Sequence, residues 1–137
     1  MTGVQTCALP IFQPNGETIV LYGHWAGHQM LGRLADAVIA ARPRWNDVAY
    51  GTRIAISHLI GNDWANETGW GLHVNEISDN EHKIAIVDFN QQTFSLHEED
   101  SFQNTDNKVR GMKNEALFTM DLSSFCEKYA LDEILVN

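Results

Sequence analysis

The side chains best able to do chemistry are gathered in Tyr22-Gly-His-Trp-Ala-Gly-His28. His24 and His28 stand four apart, so on a continuous helix they would share a face and form half of a two-histidine metal site. The intervening Trp-Ala-Gly carries no glutamate, so the zinc-protease signature is absent, and a third ligand would have to come from a distant residue such as Asp88 or His73. The preferred reading gives these imidazoles to hydrogen bonds or to a bound ligand, with no metal and no cofactor. Trp25 supplies a flat face on which a planar ligand could stack. In the alternative reading Trp25 plugs the core beneath the turn while the histidines bond locally.

Elsewhere the pattern is thinner. None of His58, His73, His82 or His97 is followed two residues on by Ser or Thr, so a paired phosphoesterase motif finds no support. The chain has no Gly-x-x-x-x-Gly-Lys, no Gly-x-Gly-x-x-Gly and no Cys-x-x-Cys. Cys126 reads as a small buried apolar residue rather than a nucleophile. Of Trp25, Trp45, Trp64 and Trp70, three are expected in turns or loops, where an indole is free to stack on a base. Arg33, Arg42, Arg44 and Arg53 are the nearest cations, and a guanidinium matches a phosphate in bidentate fashion. The candidate ligand set is therefore Tyr22, His24, Trp25, His28, Arg53 and Trp70, with no catalytic residues assigned.

The elements that must position this set follow from periodicity. Ile19-Val-Leu21 is a β-favouring run leaving the turn signal Pro14-Asn-Gly16, and Tyr22 closes that strand. From about Gly27, apolar residues at Met30, Leu31, Leu34, Ala35, Val38 and Ile39 mark one face of a helix that ends near Arg42-Pro-Arg44. The corner between them is then a helix N-terminus, whose free N–H groups and positive dipole end attract anions. Asn46 caps a second helix through Ile60, ended by Gly61-Asn62. Asn62 to Gly71 reads as a loop. Three strands are expected to follow as a meander, Leu72–Ile77, Lys83–Phe89 and Thr93–Leu96, with turns at Ser78–His82 and Asn90–Gln92. Glu98 to Asn107 reads as a polar loop. Ala116–Met120 adds a last strand, and Asp121 or Ser123 caps a short C-terminal helix holding Leu122, Phe125, Tyr129 and Ile134. The fold class is α+β: an antiparallel sheet of about five strands with two helices on one face and a short helix to close.

Residues 1–12 stand apart. Thr2-Gly-Val-Gln-Thr-Cys-Ala-Leu-Pro-Ile11 resembles the translation of a short-read sequencing adapter, so this segment is read as non-native and a single domain is expected over 13–137. A native strand before the turn is then expected to be missing, imitated by Ala8-Leu-Pro-Ile-Phe12. About 125 residues remain, enough for one domain with a sizeable core. The formal charge of −9 argues against a grip on nucleic acid or anionic membrane. With Cys7 set aside, only Cys126 is left, so no disulfide framework forms and a reducing compartment is expected.

Leu21-Tyr-Gly-His-Trp-Ala-Gly27, Thr68-Gly-Trp-Gly71 and Asp79-Asn-Glu-His82 with Ile86-Val-Asp88 resemble, over roughly Gly16 to Phe89, a group of small bacteriophage proteins. These share a Tyr-x-His-Trp-x-Gly corner, a Thr-Gly-aromatic-Gly loop and an Asp-Asn-Glu-His hairpin. Where the group carries Ser, this chain has Gly23, which removes a hydroxyl from the corner. The resemblance supplies no catalytic residues. By analogy with small acidic phage proteins that counter host defence, it implies a cytoplasmic, homo-oligomeric protein of the infected bacterium that sequesters a cyclic or ADP-ribose-derived nucleotide signal without turnover. The alternatives are a phosphodiesterase using His24 or His28 as general acid or base, and a protein-binding accessory factor.

Overall fold

The computed structural model describes residues 4–26, 30–77, 83–98 and 116–130, and the side chains of the first segment from Ala8 to Gly23. Six strands form one sheet: β1 (Val4–Phe12), β2 (Thr18–Ala26), β3 (Trp70–Val74), β4 (Ile84–Asp88), β5 (Thr93–His97) and β6 (Phe118–Asp121). Among the described residues three α-helices pack with it: α1 (Met30–Ala40), α2 (Val48–Ile60) and α3 (Leu122–Tyr129). The architecture is α+β. Across the sheet the order is β3-β2-β1-β4-β5-β6, antiparallel throughout except for β1 beside β4.

Alternation along the strands sorts side chains to the two faces. Leu9, Ile11, Leu21, Ala85, Val87, Phe94 and Leu96 form one cluster with α1, α2 and α3. Ala8, Val20, Ile84 and Ile86 point the other way and pack with Ile77. The helix-side core is tightest where Phe94 and Phe125 stack, centroids 4.0 Å apart and planes 12° from parallel. Asp47 caps α2 by accepting from Tyr50 N–H, one residue beyond the expected Asn46. Gly61 closes that helix at φ +54°, where a Cβ would be strained. Asp121 caps α3 by accepting from Ser124 N–H, and this bond holds its carboxyl below the usual carboxylate range. Ile134 lies outside the described residues, as does the expected loop beyond Glu98.

Strand number and strand pairing differ from expectation. The sixth strand is β1, formed by the adapter-like segment in the place before the turn that Ala8–Phe12 was expected to imitate, and Ala8, Leu9 and Ile11 are buried in it. The expected meander is broken, because β3 pairs with β2 rather than β4, and β2 and β1 stand between those two strands. As an edge strand β3 leaves Leu72 and Val74 60 % and 57 % exposed, so its alternation does not mark a buried face. The far end of this pairing is locked by Asn75. It donates its N–H to Thr18 O and accepts from Thr18 N–H through its side chain, while its amide also donates to the Glu17 carboxylate. Asn75 takes φ 66°, a left-handed geometry that asparagine tolerates better than most residues. Among the described residues no helix is long and apolar enough to cross a membrane.

Candidate functional site

The two glycine- and aromatic-rich stretches, some 45 residues apart, meet at one end of the sheet, where Gly23 of β2 is in register with Trp70 of β3. Contact is close. A Cβ built on Gly23 would stand 2.4 Å from Trp70 Cζ3 and 2.8 Å from Cε3, so only glycine leaves room for the indole as it lies. This supplies a steric reason for glycine at position 23. The Trp70 ring packs against the helix-side core, and its Nε1–H donates to Asp63 Oδ2 at 3.3 Å. Asp63 belongs to a 3-10 turn, Gly61–Ala65, which follows α2 directly.

His24 and Trp25 are strand residues, in register with Thr6 and Gln5 of β1. The strand does not close at Tyr22 but runs on to Ala26, because antiparallel pairing with the first half of β1 keeps the backbone extended. The described part of α1 begins at Met30. His24 is therefore outside any helix, and the shared helical face required for a His24/His28 pair is not formed. His28 lies outside the described residues, as do the side chains of His24 and Trp25.

Tyr22 faces away from Trp70. It packs on the second cluster, with its hydroxyl donating to Glu76 O at 2.7 Å and its ring edge-on to His73 at 6.5 Å. Arg53 stands exposed on α2, where its guanidinium reaches Ser57 Oγ one turn along, at 3.5 Å. Of the candidate set, then, Trp70 joins the β2 end on the helix side, Tyr22 occupies the opposite face, and Arg53 remains on the helix surface. Asp79 to His82 of the expected hairpin lie outside the described residues.

The tryptophans divide differently from the expectation that three would lie in turns or loops. Trp25 and Trp70 are in strands, while Trp45 and Trp64 are in turns. Trp45 is a fastener: its Nε1–H donates to Val38 O at 2.8 Å, and the Arg42 guanidinium sits 5.1 Å from its ring. Trp64 is 80 % exposed. Arg33 donates to Leu59 O at 3.4 Å, joining α1 to the end of α2.

One group was missed from sequence. His97 is buried at the end of β5, with Nε2 3.1 Å from Ser95 Oγ and Nδ1 unpartnered. Burial pushes its pKa below the usual histidine value. The readable signal was Ser two residues before His on an alternating strand, the reverse of the His-x-Ser/Thr order. A serine-histidine contact of this length permits proton transfer, but among the described residues no carboxylate orients the imidazole, so the third member of a nucleophilic triad is not in place there. Cys126 is buried, with its thiol pushed up to about 11 chiefly by burial and its Sγ–H directed at Ala35 O. It behaves as a packing residue. Among the described residues no three His, Cys, Asp or Glu side chains gather as a metal site. Comparison of the chain with protein-family models, curated proteins and solved structures returns no match.

Proposed function

We propose that the protein binds a planar anionic metabolite of the nucleotide class at the β2–β3 end of the sheet, and that it sequesters this ligand rather than turning it over. The observation that carries the reading is the register of Gly23 with Trp70, which sets Thr68-Gly-Trp-Gly71 beside the strand that bears His24 and Trp25. An indole held against glycine offers one face to a base, and His24, one residue beyond Gly23, supplies an imidazole that can donate to phosphate. Tyr22 and Arg53 act at a distance from Trp70 in this reading, Tyr22 by fixing β2 to Glu76. The resemblance to small phage proteins extends the proposal to a nucleotide signal of host defence, held in the cytoplasm of an infected bacterium.

The test is a thermal-shift screen with cyclic dinucleotides and ADP-ribose derivatives. A bound ligand raises apparent stability by RT ln(1 + [L]/Kd), about 2.7 kcal/mol at a hundredfold excess over Kd. Stabilisation by one member is expected, together with its loss in Trp70→Ala and Trp25→Ala proteins that keep the wild-type circular dichroism spectrum. Recovery of intact ligand after denaturation supports sequestration, whereas hydrolysed product would establish the phosphodiesterase reading. No shift with any member at saturating concentration removes the proposal.

A further inference from the structure

We infer that the outer edge of β3 is a self-association surface, on which a second copy of the chain adds its own β3 antiparallel about Leu72 and joins two six-stranded sheets into one. The orientation of the backbone is the first support. Asn75 N–H donates to Thr18 O across the β2 side, and in a trans peptide the preceding carbonyl points the opposite way. The C=O and N–H of Val74 therefore face outward, and alternation turns those of Leu72 outward too, while His73 and Gly71 bond toward β2. The edge is open: Gly71, Leu72, His73 and Val74 are all exposed, and the His73 ring reaches Val74 O at 3.3 Å without covering Leu72.

The second support is the residue pattern. Edge strands are ordinarily blunted by charge, proline or a bulge, yet Trp70 to Val74 carries no charged residue and no proline. The segment is also palindromic in character. Antiparallel pairing about Leu72 sets Leu72 against its own copy and Trp70 against the partner's Val74, three apolar pairs in line on one face, with Gly71 opposite the partner's His73 on the other. The outward N–H and C=O of Leu72 then meet those of its own copy, because residues of equal parity oppose one another. Charge narrows the choice of occupant. Two copies of a chain at −9 repel over most of their surface, so a neutral edge is where they can approach. The strip is shorter than the roughly 20–30 residues a side of a standard interface, which places the dimer in the weak, concentration-dependent class.

This inference does not rest on ligand binding, and it is tested without ligand. Sedimentation of the full chain over about 5–500 µM is expected to show the weight-average mass climbing from 15.4 kDa toward about twice that value. Leu72→Lys, at a side chain already exposed in the single chain, is expected to hold the mass at 15.4 kDa at every concentration with an unchanged circular dichroism spectrum. Leu72→Cys in a Cys7→Ser background is expected to give a disulfide-linked dimer on mild oxidation, since a hydrogen-bonded antiparallel pair holds its Cα atoms about 5.5 Å apart. A wild-type mass of 15.4 kDa throughout, a dimer that survives Leu72→Lys, or growth beyond two copies each overturns it.

Discussion

Gly23 illustrates how one absent side chain can decide the placement of another. Serine there would set its Cβ inside the Trp70 ring as it now lies, so the indole must swing away and give up both its packing on the helix-side core and its bond to Asp63. Gly23→Ser is expected to cost about 1–3 kcal/mol, the usual range for overpacking, and to shift tryptophan emission to the red. Chemical denaturation followed by fluorescence measures both. The double variant Gly23→Ser, Trp70→Ala should behave no worse than Trp70→Ala alone, and a full additive loss would refute the steric account. His97 makes a second residue-scale prediction, in pH. Its folded-state pKa is lowered by burial, so the unfolded chain binds the proton more readily. Stability from this group is complete above the unfolded value of 6.5 and is lost as pH falls from there through the folded pKa. Denaturation midpoints taken from pH 8 downward should decline over that window in the wild type and decline less in His97→Gln, which cannot take up the proton. Parallel curves for the two proteins would assign the loss to other groups.

At the scale of elements, α2 shows what a cap contributes. Asp47 accepts from Tyr50 N–H and satisfies one of the donors a helix start leaves open. Asp47→Ala is expected to lower the unfolding free energy by about 1 kcal/mol, whereas Asn46→Ala should leave it nearly unchanged, an ordering that urea denaturation can reverse or uphold. Asn and Asp cap equally well, so sequence could place this helix start only to within a residue. Helices α1, α2 and α3 were visible because an apolar stripe at three- and four-residue steps fits few structures besides a helix, and β4 and β5 because their apolar runs are bounded by turn residues. Partner choice was not visible. Alternation in Leu72-His-Val74 identifies a strand but says nothing of which neighbour it pairs with, and nearest-in-sequence pairing failed there. The candidate site was legible in the same partial way. Glycine and tryptophan marked both stretches as unusual, but only the β2–β3 register brings Gly23 to Trp70 and turns Tyr22 to the opposite face. His97 escaped because its Ser-x-His order is the reverse of the phosphoesterase pattern, and that order alone does not separate a buried histidine from an exposed one.

For the whole molecule, the decisive strand is β1, because it joins β2 and β3 on one side to β4, β5 and β6 on the other. Its own sequence is poorly suited to that position. Thr18 spends its backbone groups on Asn75, which leaves Ile19 to bond Ile11 and turns Pro10 away from β2 toward β4. A proline ring nitrogen has no hydrogen to donate, and the registered pairs between β1 and β4 begin at the next residue, Ile11 with Val87, followed by Phe12 with Asp88. The turn at Pro14-Asn-Gly16 would bring any extended segment back along β2, so the sheet accepts this strand for its apolar alternation at Leu9 and Ile11 despite the missing donor. Pro10→Thr restores that donor and a β-favouring side chain at a site where the ladder to β4 is otherwise interrupted. It is expected to stabilise the protein by about 1 kcal/mol, read as a raised thermal midpoint and as slower amide exchange in both β1 and β4. Extra protection in β1 alone would mean that the two halves of the sheet are not joined through this ladder, and a lowered midpoint would mean that Pro10 is held by its surroundings rather than merely tolerated.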